Sequence, residues 1–142
     1  MIEYDKLEKS LKHLELQYIN YQQMRNKTDV EELIQEAVKE SVIQRFEVCF
    51  DSLWKVLKRY LSEEMGVSDM PNSPKEIFRI ANENKLFSSS IEQWLKYLQF
   101  RVDTSHDYSE NKADIALESM GDYIADAIEL YMKMTGKAWE RA

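Results

Sequence analysis

From Asp29 to Glu63 the chain runs without one glycine or proline, and its apolar residues step by three and four. Leu33, Ile34, Ala37, Val38, Val42, Phe46, Phe50, Leu53, Trp54, Leu57 and Leu61 fall on one side of a helix of 3.6 residues per turn. A run of this length exceeds the usual globular helix, so it is expected either to kink or to serve a dimer interface besides its own core. The whole chain holds only three glycines and two prolines in 142 residues. So few breakers leave no room for the tight turns of a sheet protein, and the expectation is all-α.

The same period marks the other elements. Leu7, Leu11, Leu14, Tyr18 and Tyr21 stripe a helix over residues 3 to 25, with Glu8 and Lys12 four apart. Asp29 is the expected cap of the long run and Gly66 its stop. The stretch GVSDMPNS reads as loop. Ser73-Pro74-Lys75-Glu76 and Ser89 to Glu92 both have capping-box spacing. The first starts a short helix with Ile77, Phe78, Ile80 and Ala81. The second starts one with Ile91, Trp94, Leu95 and Leu98. A last helix is expected over residues 112 to 134, capped at Gly136. About five helices with short connections make an antiparallel up-and-down bundle, one domain over residues 1–142.

Charge narrows the function. The formal net charge is −7. An acidic surface does not draw nucleic acid from a distance, which disfavours a general nucleic-acid binder but not an enzyme with one basic cleft. Cys49 is the single cysteine; in an apolar helical run it reads as a buried structural thiol. The opening MIEYDKLEK is charged throughout, unlike a secretory signal. No apolar run approaches the roughly 20 residues that span a bilayer. The expected location is cytoplasmic, with no membrane partner. Lys55, Lys58 and Arg59 read as a solvated face, and His13 as a surface residue.

The chemistry concentrates in QFRVDTSHDY, residues 99 to 108. Arg101 is a permanent planar cation matched to phosphate oxygens, and His106 titrates near neutrality. Together they suit cleavage of a phosphodiester: the imidazole moves a proton at the ribose 2′-OH or at the leaving oxygen, and the guanidinium meets charge growing on phosphorus. Asp103, Thr104 and Ser105 are candidate supports. No cluster has metal-ligand spacing, so neither metal nor cofactor is expected. Five residues of a helix are about 140° of rotation, which separates Arg101 from His106. The helix can end near Asp103 to Ser105 and let His106 fold back, and two subunits of a symmetric dimer can bring their motifs to one cleft; both together are expected. An Arg and a His five apart also arise by chance. Arg101 paired with Asp103 or Glu92, His106 as a loop residue and Tyr108 as core cover account for the same letters.

Several blocks together are more specific. Arg45-Phe46-Glu47 with Phe50, Leu53, Trp54 and Lys55 is followed by Pro74, Ile77, Phe78 and Ala81, then Trp94, then Arg101, Ser105, His106 and Tyr108. In order and spacing, nearly the whole chain resembles the HEPN-type proteins described as nucleotidyltransferase substrate-binding proteins. The resemblance implies a homodimeric helical bundle, encoded beside a minimal nucleotidyltransferase. It implies a metal-independent endoribonuclease toxin acting on RNA, with Arg101 and His106 catalytic. It also implies that Tyr108 accepts AMP from the partner, which silences the toxin. The family's older description implies instead a non-catalytic subunit that binds substrate or nucleotide for the nucleotidyltransferase. One position departs: the residue after the motif arginine is usually polar, often Asn, and here it is Val102. Asp103, one position on, would face about 100° away.

Overall fold

A computed structural model describes residues 1–106 and 110–142, with side chains over 1–104 and 111–142. Six helices occupy the described residues: α1 (Asp5–Arg25), α2 (Glu32–Glu63), α3 (Pro74–Glu83), α4 (Ile91–His106), α5 (Glu110–Glu118) and α6 (Met120–Thr135). No strand occurs among them, in line with the scarcity of turn residues.

The long apolar run becomes one unbroken helix. Its 32 residues extend for about 48 Å. It begins at Glu32, later than a cap at Asp29 would start it: Glu31 holds the cap position in extended conformation with no side-chain cap bond. The amide of Gln35 instead reaches back to the Val30 carbonyl at 2.8 Å. At the far end Gly66 takes φ +69°, and the Val67 N–H closes back on the Leu61 carbonyl at 3.0 Å. That is a left-handed helix stop, which glycine adopts without a Cβ penalty.

Both capping boxes are adjusted. Ser73 and Pro74 stand at the start of α3, but the bond there is from the Ile77 N–H to the Ser73 carbonyl, and the serine side chain makes no cap. For α4 the capping hydroxyl belongs to Ser90, which accepts from the Gln93 N–H at 3.2 Å. Ser89 is turned away to donate to Asp126 on α6. The expected last helix is broken in two at Ser119. Ser119 and Gly121 are weak helix formers, and the break lets α5 lie on α2 and α4 while α6 lies on α1. Gly121 sits against α1, where an added Cβ would stand 3.3 Å from the Tyr18 hydroxyl oxygen.

Contacts fix the directions. His13 meets Arg45, and the Met1 carbonyl meets Arg59, so α1 and α2 are antiparallel. Arg101 meets Asp51 while Thr104 meets Glu47, so α4 is antiparallel to α2. Tyr4 reaches Met134 and Gly121 abuts Tyr18, so α6 is antiparallel to α1. The four long helices thus form the expected antiparallel bundle. Its centre is aromatic: Phe46, Phe50, Phe78, Trp94, Tyr97 and Tyr123 are all buried and pack largely edge to face. Cys49 is fully buried among them, and its sulfur accepts from the Tyr123 hydroxyl at 3.4 Å. His13 is on the surface, as its charged neighbours suggested.

Candidate functional site

The face that α4 buries is not the one its letters advertise. Trp94, Tyr97, Phe100 and Thr104 point inward. Ile91, Leu95 and Leu98 are only half-buried, and Val102 is 41% exposed. Arg101 lies between these two stripes and faces α2.

Its guanidinium is held by two carboxylates one turn apart on α2. Nε donates to Asp51 Oδ1 at 3.1 Å and Nη2 to Asp51 Oδ2 at 3.0 Å, a bidentate fork. Nη1 donates to Glu47 Oε2 at 3.0 Å. The same Glu47 oxygen accepts from the buried Thr104 hydroxyl at 3.0 Å. Two short sequence spacings therefore interlock: Glu47 and Asp51 at i, i+4 on α2, Arg101 and Thr104 at i, i+3 on α4. The Asp51 hydrogen bonds push Arg101 further above its ordinary pKa, and desolvation opposes them without winning. The arginine is permanently charged and its plane is fixed.

Other expectations about the motif resolve differently. Asp103 is not a partner of Arg101; its carboxylate accepts from Gln99 one turn back at 2.9 Å. Glu92, nine residues and about 14 Å back along the same helix, does not reach it either; the carboxylates of α2 occupy the fork. The helix does not stop between Asp103 and Ser105. It continues through His106, whose backbone forms the last turn of α4. The side chains of Ser105 and His106, and all of Tyr108, lie outside the described residues.

Glu47 and Asp51 are the residues that the spacing argument missed. Glu47 entered only as part of the Arg45-Phe46-Glu47 block. A faint signal was present: two acidic residues four apart, each following a core phenylalanine. Nothing in the sequence links them to Arg101, 54 and 50 residues away. Among the described residues no three His, Cys, Asp or Glu side chains gather as a metal site. No described helix is long and apolar enough to cross a membrane.

An aromatic-centred antiparallel bundle, with a motif arginine locked onto its longest helix, defines an all-helical protein of the HEPN type. Two solved structures share this fold. A protein from Thermus thermophilus superposes with a TM-score of 0.66 at 25% identity, covering 86% of this chain and 98% of that one. A tri-AMPylated HEPN toxin from Shewanella oneidensis, solved in complex with an MNT antitoxin, superposes with a TM-score of 0.68 over 94% of this chain and 93% of that one. At 16% identity the second likeness is one of fold. No curated protein matches the sequence. The chain belongs to the family described as nucleotidyltransferase substrate binding protein like, whose pattern it matches over residues 2–136.

Proposed function

We propose that this chain is the endoribonuclease toxin of a HEPN/MNT pair, working without metal and silenced when its nucleotidyltransferase partner adds AMP to Tyr108. The observation that carries the reading is the immobilised Arg101 fork. Asp51 and Glu47 fix the guanidinium plane and use one N–H each on Nε, Nη1 and Nη2, which leaves one N–H on each Nη to meet a phosphate from a fixed direction, the positioning that phosphodiester chemistry requires. His106 takes the proton from the ribose 2′-OH, the 2′-oxygen attacks phosphorus, and the bond to the 5′-oxygen breaks as that oxygen takes a proton from solvent water or back from the His106 imidazolium. The products are a 2′,3′-cyclic phosphate and a 5′-hydroxyl. Arg101 stabilises the charge that accumulates on the phosphoryl oxygens. The HEPN fold shared with a toxin that carries AMP and binds an MNT antitoxin supports both the partner and the switch.

A homodimer completes the proposal. Ile91, Leu95, Leu98 and Val102 repeat at intervals of four, three and four along α4 and are half-buried or exposed. On α2, Val48 is 49% exposed beside Glu47. An apolar seam of that spacing suits a second helix, and pairing there would bring two copies of the Arg101 cluster to one cleft.

One observation favours a second reading. Glu47 and Asp51 already neutralise Arg101, and Val102 adds no polar group beside it. A chain that binds substrate or nucleotide for the nucleotidyltransferase, without cutting RNA, accommodates both facts. Expression without the partner separates the two. The toxin reading expects arrested growth, relieved by His106→Ala and by co-expression of the nucleotidyltransferase, together with a mass increment of one or more AMP units on Tyr108. Normal growth from the wild-type chain alone would favour the binding subunit.

A further inference from the structure

Where the last turn of α1 approaches the start of α2 and the side of α5, they enclose a cleft of about 410 Å3. That falls within the range of small-ligand sites. Three cations line it, Arg25, Lys27 and Lys39, facing Asp114 and Glu118 of α5. Tyr21, only 6% exposed, and Met24 pack on the core and supply its apolar side.

Some cations of this chain are tied down within their own helix. Lys12, Arg59 and Lys133 each pair with a glutamate one turn away on the same helix. Among the described residues, no carboxylate lies within ion-pair distance of Arg25 or Lys27. Lys39 reaches across to Asp114 at 3.3 Å. The Arg25 guanidinium lies over the Tyr21 ring, 5.6 Å from its centroid, a planar cation supported on an aromatic. On a chain of net charge −7 this is a local concentration of positive charge in a concave surface.

The mixture of groups is selective. Bare phosphate would gain from the cations but meet two carboxylates. A nucleoside monophosphate uses both kinds: its phosphate takes Arg25 and Lys27, its ribose hydroxyls donate to Asp114 or Glu118, and its base lies against Met24 and the Arg25 plane, which Tyr21 backs. We infer that this cleft binds one nucleoside 5′-monophosphate unit, either free or as one unit of an RNA strand. Lys39 stands eight residues from Glu47, about 12 Å along α2, so a strand crossing the Arg101 cluster has neighbouring units near the cleft. The strand source rests on the ribonuclease reading; the free-nucleotide source does not.

The test is equilibrium binding to the purified chain of AMP, inorganic phosphate and a four-unit oligoadenylate at constant salt. The variants are Arg25→Ala/Lys27→Ala, whose side chains are exposed and whose fold is verified by circular dichroism, and Arg101→Ala. AMP is expected to bind at least tenfold more tightly than phosphate. The double variant should weaken AMP at least tenfold. Oligoadenylate binding more tightly than AMP, and weakened by either variant, identifies the strand as the source; AMP binding more tightly identifies the free nucleotide. Absence of saturable binding by both nucleotides at millimolar concentration, equal affinity for phosphate, or indifference to the double variant overturns the inference. Failure of the growth assay, with AMP binding intact, would remove the toxin reading and leave this site standing.

Discussion

Arg101 joins a role in structure to its proposed role in chemistry, and one substitution separates them. Lysine keeps the charge but cannot make the bidentate fork to Asp51 while also reaching Glu47. With all three side chains a quarter exposed or more, the ion pairs contribute no more than about 1 kcal/mol to stability. Arg101→Lys should therefore lower the thermal midpoint by only a few degrees, while RNA cleavage falls on the order of 100-fold, as for loss of one charge-stabilising donor. A parallel collapse of midpoint and rate would assign the arginine to structure alone. Cys49 offers a second test at this scale. Burial pushes its thiol up from 9.0 to about 11. The folded chain therefore keeps a proton that the unfolded chain releases. The associated stability is complete below pH 9 and is lost progressively as pH rises from 9 to 11. Tyr97 and Tyr123, also raised by burial, act with the same sign at higher pH. The urea midpoint should fall across that window and fall less steeply in Cys49→Ala. The native thiol should resist alkylation at about pH 8 and react once the chain is unfolded.

At the scale of elements, the break between α5 and α6 was hidden because the weak helix formers Ser119 and Gly121 do not interrupt the apolar period. The apolar period runs without a gap through Ile115, Ala116, Met120, Tyr123 and Ile124, so the pattern reads as one helix. The structure ends α5 at Glu118 and restarts at Met120, which sets Gly121 against Tyr18 of α1. That close approach predicts a size dependence. Gly121→Ala gains helix propensity of up to about 1 kcal/mol and asks Tyr18 to shift by tenths of an ångström, so its midpoint should stay near that of the parent. Gly121→Leu overpacks the α1–α6 contact and should cost about 1–3 kcal/mol, read from chemical denaturation. Equal effects of the two would mean that the contact yields freely. The caps show the same limit. Ser89 and Ser90 are chemically equivalent candidates, and only the position of Asp126 on α6 decides that Ser89 is drawn away and Ser90 caps α4.

At the scale of the whole molecule, the proposed dimer makes the strongest claim. Leu95→Asp with Val102→Asp places two charges on the half-exposed stripe of α4 and leaves the buried face of Trp94, Tyr97 and Phe100 untouched. Light scattering should show the parent as a dimer and the double variant as a monomer, with helical content retained. RNA cleavage should be lost with the dimer although Arg101 and His106 are unchanged. A parent that is monomeric at micromolar concentration would require the site to work within one subunit. The chain's end is built into the same body: Trp139 and the Ala142 N–H both donate to Glu15, a carboxylate 3% exposed inside α1, and Arg141 Nε stands 2.6 Å from its second oxygen.

Helical class, antiparallel packing and a buried Cys49 were determined by the sequence itself. They follow from the 3.6-residue period, the near absence of glycine and proline, and the short connections, all of which act between neighbours in the chain. The candidate motif was proposed from the same letters, since arginine and histidine carry their chemistry with them. Tertiary structure alone decided which groups hold Arg101. Asp103, two residues away, is engaged by Gln99, whereas Glu47 and Asp51 arrive from 54 and 50 residues upstream. It also decided which residues of α4 are fully buried and which stay half-exposed. A helix presents every residue at a definite angle, but only its neighbours in space determine which angle is inside.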